Sequence, residues 1–290
     1  MLEHYTKPAL MTSAGRHAHR FESLPRDIAG LAAVGQGLII HEHLASQYGV
    51  TLTDSDRESV HVRPVERLLD RIVAKDDRPL TVARAPEARI AGNCRHFTVL
   101  MVALLRFQGT PARARCGFGG YFGNGKFEDH WVCEYWDADR ERWTMVDAQI
   151  DALQHQLFGV DFDVTDVPRD GFLVAGDAWA RCRAGRADPG LFGLSSLGEA
   201  GYWWIAGNLM RDVAALDNVE VLPWDAWGEM PAPGEDIAEE LAARFDELAA
   251  LTRTPEVDPD ELRRVAEDDR IRVPSTVLNV LRKRDEPLDS

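Results

Sequence analysis

Cysteine is scarce in this chain: Cys94, Cys116, Cys133 and Cys182 are the only four in 290 residues. No two form a CxxC pair, which excludes the redox and zinc motifs built on that spacing, and a cytosolic chain keeps such thiols reduced. Long uncharged apolar runs and a signal-peptide pattern are also missing, so the expected location is the cytoplasm, with no membrane partner. Basic charge is in deficit, with 33 Lys plus Arg against 48 Asp plus Glu and a net charge of −15. That balance argues against nucleic acid and anionic membrane surfaces as partners. There is no internal repeat and no low-complexity tract. Gly119, Gly120, Gly123 and Gly125 form no phosphate loop, because neither a helix start nor a Lys-Ser/Thr pair follows them. The length suits one or two domains with ample material for a core.

Against these absences one stretch stands out, from Gly92 to Met101. Gly92 permits a tight turn and Asn93 is a good N-cap, so Cys94 falls at the first position of a helix. Phe97, Met101, Leu104 and Leu105 follow at helical spacing, and Gly109 and Pro111 end the run. A thiol at a helix N-terminus sits at the positive end of the dipole, which favours thiolate. A buried cysteine in an apolar helix is nevertheless usually a small core residue, so the assignment depends on its surroundings.

The remaining pattern has helices on both sides of a strand-rich centre. Residues 1–24 read as loop or a docked arm. Helices are expected over 25–48 and 53–75, the second opening on Thr53-Asp54-Ser55-Asp56, with a connection over 80–91. On the first of these, His41 and His43 lie two apart and point to different sides, which disfavours a metal pair. Strands are expected over 112–122, 130–137 and 143–148, joined antiparallel through short turns. Further helices are expected over 178–183, 197–216 and 237–251, from Asp258 onward, and over 274–284. Five of the eight tryptophans lie beyond residue 175, where they either pack a core or wall a pocket. The division is a helical region over 1–79, a core over 80–150 and a mainly helical region over 151–290 packed on that core.

The order cysteine on a helix start, histidine on a strand, aspartate on the next strand carries chemistry. His130 and Asp147 are about equidistant from the expected turn at 138–139, which places them side by side across the hairpin. If the cysteine helix packs on that face, Cys94 meets His130. A thiolate can then attack a carbonyl carbon, a histidine can take and return the proton, and an aspartate can fix the imidazole tautomer.

These residues carry a family resemblance. Gly-Asn-Cys-Arg-His-Phe at 92–97, with Leu-Leu-Arg-Phe-Gln-Gly-Thr-Pro-Ala-Arg-Ala-Arg at 104–115, resembles the nucleophile helix of the transglutaminase-like superfamily. Asp-His-Trp-Val-Cys-Glu-Tyr-Trp at 129–136 resembles its histidine strand, and Arg-Trp-Thr-Met-Val-Asp-Ala at 142–148 its aspartate strand. The resemblance covers about 80–150. It implies an α+β fold with a papain-like core, a nucleophile helix packed on an antiparallel sheet, here flanked by helical regions. It implies Cys94 as nucleophile, His130 as base and Asp147 as orienter, with the Cys94 backbone N–H as one oxyanion donor. The implied activity is acyl transfer from an amide or related donor through a thioester on Cys94. The partners are a peptide or small-molecule acyl donor and a water or amine acceptor. No cofactor is implied, because the calcium dependence of the large animal cross-linkers belongs with β-domains that this sequence does not match.

Other readings of the same residues stay open at this point. Some superfamily members lack the cysteine and act as non-catalytic scaffolds. Cys94, His96, His130 and Cys133 suggest zinc, but a histidine and a cysteine three apart on a strand face opposite ways. His96 lies on another side of the helix from Cys94. Glu134 shares a strand face with His130, and Arg95, Arg113 and Arg115 either bind a substrate carboxylate or form structural ion pairs.

Overall fold

The structure is a computed structural model that describes residues 2–290. Its first helix is shorter than the periodicity suggests. α1 (Ile28–Leu38) is capped by Asp27, whose side chain accepts the Gly30 N–H, and the chain then extends into β1 (Ile39–His41). The run Leu38-Ile39-Ile40 is apolar on every side, so it serves a fully buried strand as well as a helix. The second expected helix divides at Pro64. The Thr53 capping box opens α2 (Asp54–Arg57), and α3 (Val65–Lys75) begins after the proline. Residues 2–24 form a docked arm, with Tyr5, Met11 and Phe21 in the interior.

β2 (Ile90–Gly92) pairs in parallel with β1 and leads directly into α4 (Cys94–Phe107), the cysteine helix. Residues Cys94 to Arg106 of α4 are all buried, so the helix is enclosed rather than laid on a surface. Its two buried arginines reach backbone and side-chain acceptors on neighbouring segments. Arg106 donates to the Ala112 carbonyl, Thr12 and Asn218, and Arg95 donates to the carbonyls of Arg63 and Glu220.

β3 (Ala112–Gly119), β4 (Phe127–Asp137) and β5 (Arg142–Val146) form the expected antiparallel meander. The register differs from the expected one. Cys133 pairs with Val146 and Asp137 with Arg142, leaving a four-residue connection over 138–141 in which Glu141 adopts a left-handed φ of 49°. The axis of the hairpin therefore lies further along the chain than 138–139. Asp147 follows the end of β5 and falls opposite Val132, diagonal to His130 rather than directly across from it.

α5 (Ala152–Phe158) has no counterpart among the expected helices; Asp151 caps it by accepting the Leu153 and Gln154 N–H groups. β6 (Phe172–Val174) pairs with β3 and runs into α6 (Ala175–Arg183). β7 (Phe192–Leu194) lies parallel to the start of β4, and β8 (Glu199–Ala200) completes a six-stranded mixed sheet. Gly201, with φ 122°, starts α7 (Tyr202–Leu216), five residues later than expected, and Leu197 is left exposed. β9 (Asp225–Ala226), α8 (Glu239–Thr252) and α9 (Pro259–Ala266) follow. The expected helix over 274–284 is instead a hairpin of β10 (Thr276–Asn279) and β11 (Arg284–Pro287). The burial of Val277 and Asn279 between exposed Thr276 and Leu278 has the period of a strand, and Lys283 turns the chain with φ 53°.

Two main cores result. One joins α1, α3 and α4 to Ala112, Ala114, Cys116, Trp131, Cys133 and Val146 on the sheet. The other gathers α6, α7, α8 and α9 around Phe118, Leu173 and Phe192. No helix among the described residues is long and apolar enough to cross a membrane.

Candidate active site

Cys94 occupies the first turn of α4, where its backbone N–H has no intrahelical acceptor. The N-terminus of the helix is held from behind. His96 Nδ1 accepts the Asn93 N–H at 3.1 Å, and Nε2 donates to the Val62 carbonyl at 3.1 Å. Burial, then the Arg95 charge, hold the His96 ring well below the usual histidine range, so it is a neutral structural group. Gly92 is required here, since a Cβ would meet Ile39 Cγ2 at 2.7 Å.

His130 lies on β4 with 2% of its surface exposed, and Asp147, at 1%, reaches it diagonally. His130 Nε2 is 2.8 Å from Asp147 Oδ2. Burial alone lowers the imidazole pKa. The Asp147 charge and hydrogen bond, with the adjacent Cys94 side chain, more than offset it and bring it to about 10. With Nε2 committed to Asp147, Nδ1 is the ring nitrogen left for Cys94. The Asp147 carboxylate is itself fixed: Oδ1 accepts the Gln149 N–H at 3.0 Å, and Oδ2 also accepts the Tyr121 hydroxyl at 2.7 Å.

Aromatic rings enclose His130. Tyr121, Phe122 and Phe172 present edges to it at centroid distances of 6.0, 5.0 and 6.2 Å. Phe158, at the end of α5, packs on Phe122. The glycines that form no phosphate loop have a role here. A Cβ on Gly119 would meet Phe122 at 2.6 Å and Tyr121 at 3.2 Å, and one on Gly120 would meet Phe127 at 2.9 Å. Glycine at 119 leaves the space into which Tyr121 and Phe122 fold back over the end of β3, and glycine at 120 leaves space for Phe127. Neither this aromatic wall nor Gln149 is evident from the sequence pattern; the Gly-Gly-Tyr-Phe run is the signal that could have found the wall.

The structure brings Cys94, His130 and Asp147 together and engages Arg95, Arg113, Arg115, Glu134 and Cys133 in other contacts, while His41 stays close to His130 and Asp147. Arg95, Arg113 and Arg115 are fully buried and engaged. Glu134 accepts from Arg113, Arg115 and Arg169, so it serves an ion network. Cys133 faces the α4 core. His41 ends β1, where His43 N–H donates to its Nδ1 at 3.3 Å; burial, then the neighbouring His43 and His130, push it down to about 3. Among the described residues no three His, Cys, Asp or Glu side chains converge as a metal site. A cavity of about 580 Å³ lies elsewhere, against Trp179, Tyr202 and Trp203; its Arg183 is already paired with Glu239 and Asp246. The Trp-rich segment thus supplies both core and cavity wall.

Residues 58–148 match the core of the transglutaminase-like superfamily. This segment is a transglutaminase-like core. Cys94, His130 and Asp147 all fall inside the matched span, and the match supports a cysteine-dependent enzyme in general terms. No curated protein matches the chain. A solved structure from Cytophaga hutchinsonii, provisionally named a cysteine protease, aligns at 16% identity with a TM-score of 0.32. That alignment covers 59% of this chain and 44% of the other. The transglutaminase-like core is bounded by α3 and α4 on one side and by the β3–β5 meander on the other, an α+β arrangement.

Proposed function

We propose that Cys94, His130 and Asp147 form the catalytic triad of a cysteine-dependent acyl-transfer enzyme. The observation that carries this reading is the imidazole of His130, held at Nε2 by a buried carboxylate and adjoining a cysteine at the head of a helix. In the proposed reaction the Cys94 thiolate attacks the carbonyl carbon of an amide, and the developing oxyanion takes the Cys94 backbone N–H. The C–N bond breaks as His130 gives its proton to the leaving amine, and a thioester remains on Sγ. Water or an amine then attacks the thioester; His130 accepts its proton and the thiolate leaves. With water the product is an acid, as for a peptidase or amidase; with an amine it is a new amide. A cytoplasmic setting, in which thiols stay reduced, suits this chemistry.

Limiting iodoacetamide tests the reading. Cys94 is expected to label first. Burial pushes Cys116 well above the usual thiol range, Cys133 above it as well, and Cys182 up to about 11. Mass-spectrometric mapping showing all four cysteines modified at the same rate would sink the assignment.

A further inference from the structure

We propose that Tyr121 is a positioning residue of the site. By donating its phenol proton to Asp147 Oδ2, the oxygen that also faces His130 Nε2, it sets how firmly the carboxylate holds the imidazolium. The proposal rests on the catalytic reading above.

Asp147 Oδ2 has two claimants, His130 Nε2 at 2.8 Å and the Tyr121 hydroxyl at 2.7 Å, and Oδ1 is held separately by the Gln149 N–H. A carboxylate that divides its charge among three donors attracts each of them less. The Tyr121 hydroxyl therefore weakens the grip of Asp147 on the imidazolium without displacing it. The ring is not free to swing away. It stacks edge-on against Phe162 at 5.2 Å and His130 at 6.0 Å, over a Gly119 that has no room for a Cβ. Burial, then the Asp147 charge and hydrogen bond, push the phenol well above its ordinary range, so Tyr121 stays the donor.

Catalysis needs this moderation. An imidazolium held too tightly is a poor acid toward the leaving amine, because proton transfer is most efficient when the donor pKa lies near the working pH. The other titratable groups around the pair are Cys94 from α4, His41 at the end of β1, and Asp129, the neighbour of His130 on β4, which accepts the Trp204 indole N–H. The Tyr121 hydroxyl hydrogen-bonds to Asp147 and to none of these three.

The test is an NMR titration of nitrogen-15-labelled histidine, with His130 assigned by its loss in His130→Gln. Tyr121→Phe is expected to raise the pH at which His130 loses its second proton by about half a unit or more. 3-Fluorotyrosine at position 121, a stronger donor of the same shape, is expected to lower it; this variant also carries the test if Tyr121→Phe does not fold. On an acyl donor, Tyr121→Phe should lower kcat and leave KM unchanged. A His130 titration that moves in Asp147→Asn but in neither Tyr121 variant overturns the role of Tyr121 and leaves the triad standing. A titration indifferent to Asp147→Asn as well overturns both.

Discussion

Cys94→Ala is expected to bring acyl-transfer turnover to background in a protein that remains folded. The side chain is small, and its loss leaves α4 with its remaining apolar contacts to α1, α3 and the sheet. Of the four cysteines, Cys94 is the one that adjoins His130. Asp147→Asn should be graded rather than total. The amide can still meet His130, but it neither stabilises the imidazolium nor enforces the tautomer that leaves Nδ1 available to the thiol. In serine proteases the analogous change costs on the order of 10⁴ in rate. A thiol is a far stronger acid than a serine hydroxyl and depends less on the third member for its activation, so a loss of roughly 10- to 1000-fold is expected. Asp151 cannot serve as the neutral control, because it caps α5 and accepts the Tyr48 hydroxyl. Asp139, exposed in the β4–β5 turn, is the suitable one. Steady-state turnover with circular dichroism checks the series; wild-type rates in a folded Asp147→Asn protein would mean that the aspartate is misassigned.

The second large effect is on stability. Glu134 is fully buried and accepts from Arg113 at 2.7 Å, Arg115 at 3.1 Å and Arg169 at 2.9 Å. Arg115 in turn forms a two-point bond with Asp212 on α7, joining the sheet to the C-terminal helices. Removing one member of such a network strands the others without counter-charge in a medium that solvates them poorly. Glu134→Ala is therefore expected to cost about 3–5 kcal/mol. Arg140→Ala, which breaks an exposed pair with Asp166, should cost under about 1 kcal/mol. Urea unfolding separates the two, and comparable losses would contradict this account. The pH dependence has a definite sign. Burial alone raises the Glu134 carboxyl, but the three guanidinium groups override it and hold it well below its ordinary value of 4.5. Its contribution is complete above that value and is lost as the pH falls toward the depressed folded-state pKa. Glu134→Ala should accordingly lose less of its remaining stability on acidification than the wild type does.

The elements that local chemistry specifies were legible in the chain. Asn93 before Cys94, Thr53 three residues before Asp56, and Asp258 before Pro259 each announce a helix start, and α4, α2 and α9 begin there. The β3–β5 meander was legible because short turns force neighbouring strands antiparallel. The placement of His130 near Asp147 was legible in kind, though the hairpin closes through a longer connection and the two residues meet diagonally. Elements decided by distant contacts were not legible. Ile39-Ile40-His41 satisfies a helix or a strand equally; it becomes a strand because Ile90-Ala91-Gly92 lies alongside to take its backbone hydrogen bonds. Residues 276–287 form a hairpin that pairs with β9, which lies far earlier in the chain at Asp225–Ala226. Tyr121 and Phe122 become the wall of the site only because β6 and α5 bring Phe172 and Phe158 beside them. What the sequence by itself determined is the set of chemical groups, their order and their local starts and turns, all governed by interactions within a few residues. The choice between strand and helix at 39–41, the diagonal meeting of His130 with Asp147, and the sharing of one carboxylate oxygen between His130 and Tyr121 were decided only by tertiary structure, because each depends on groups far apart in sequence competing for the same space and the same hydrogen bonds.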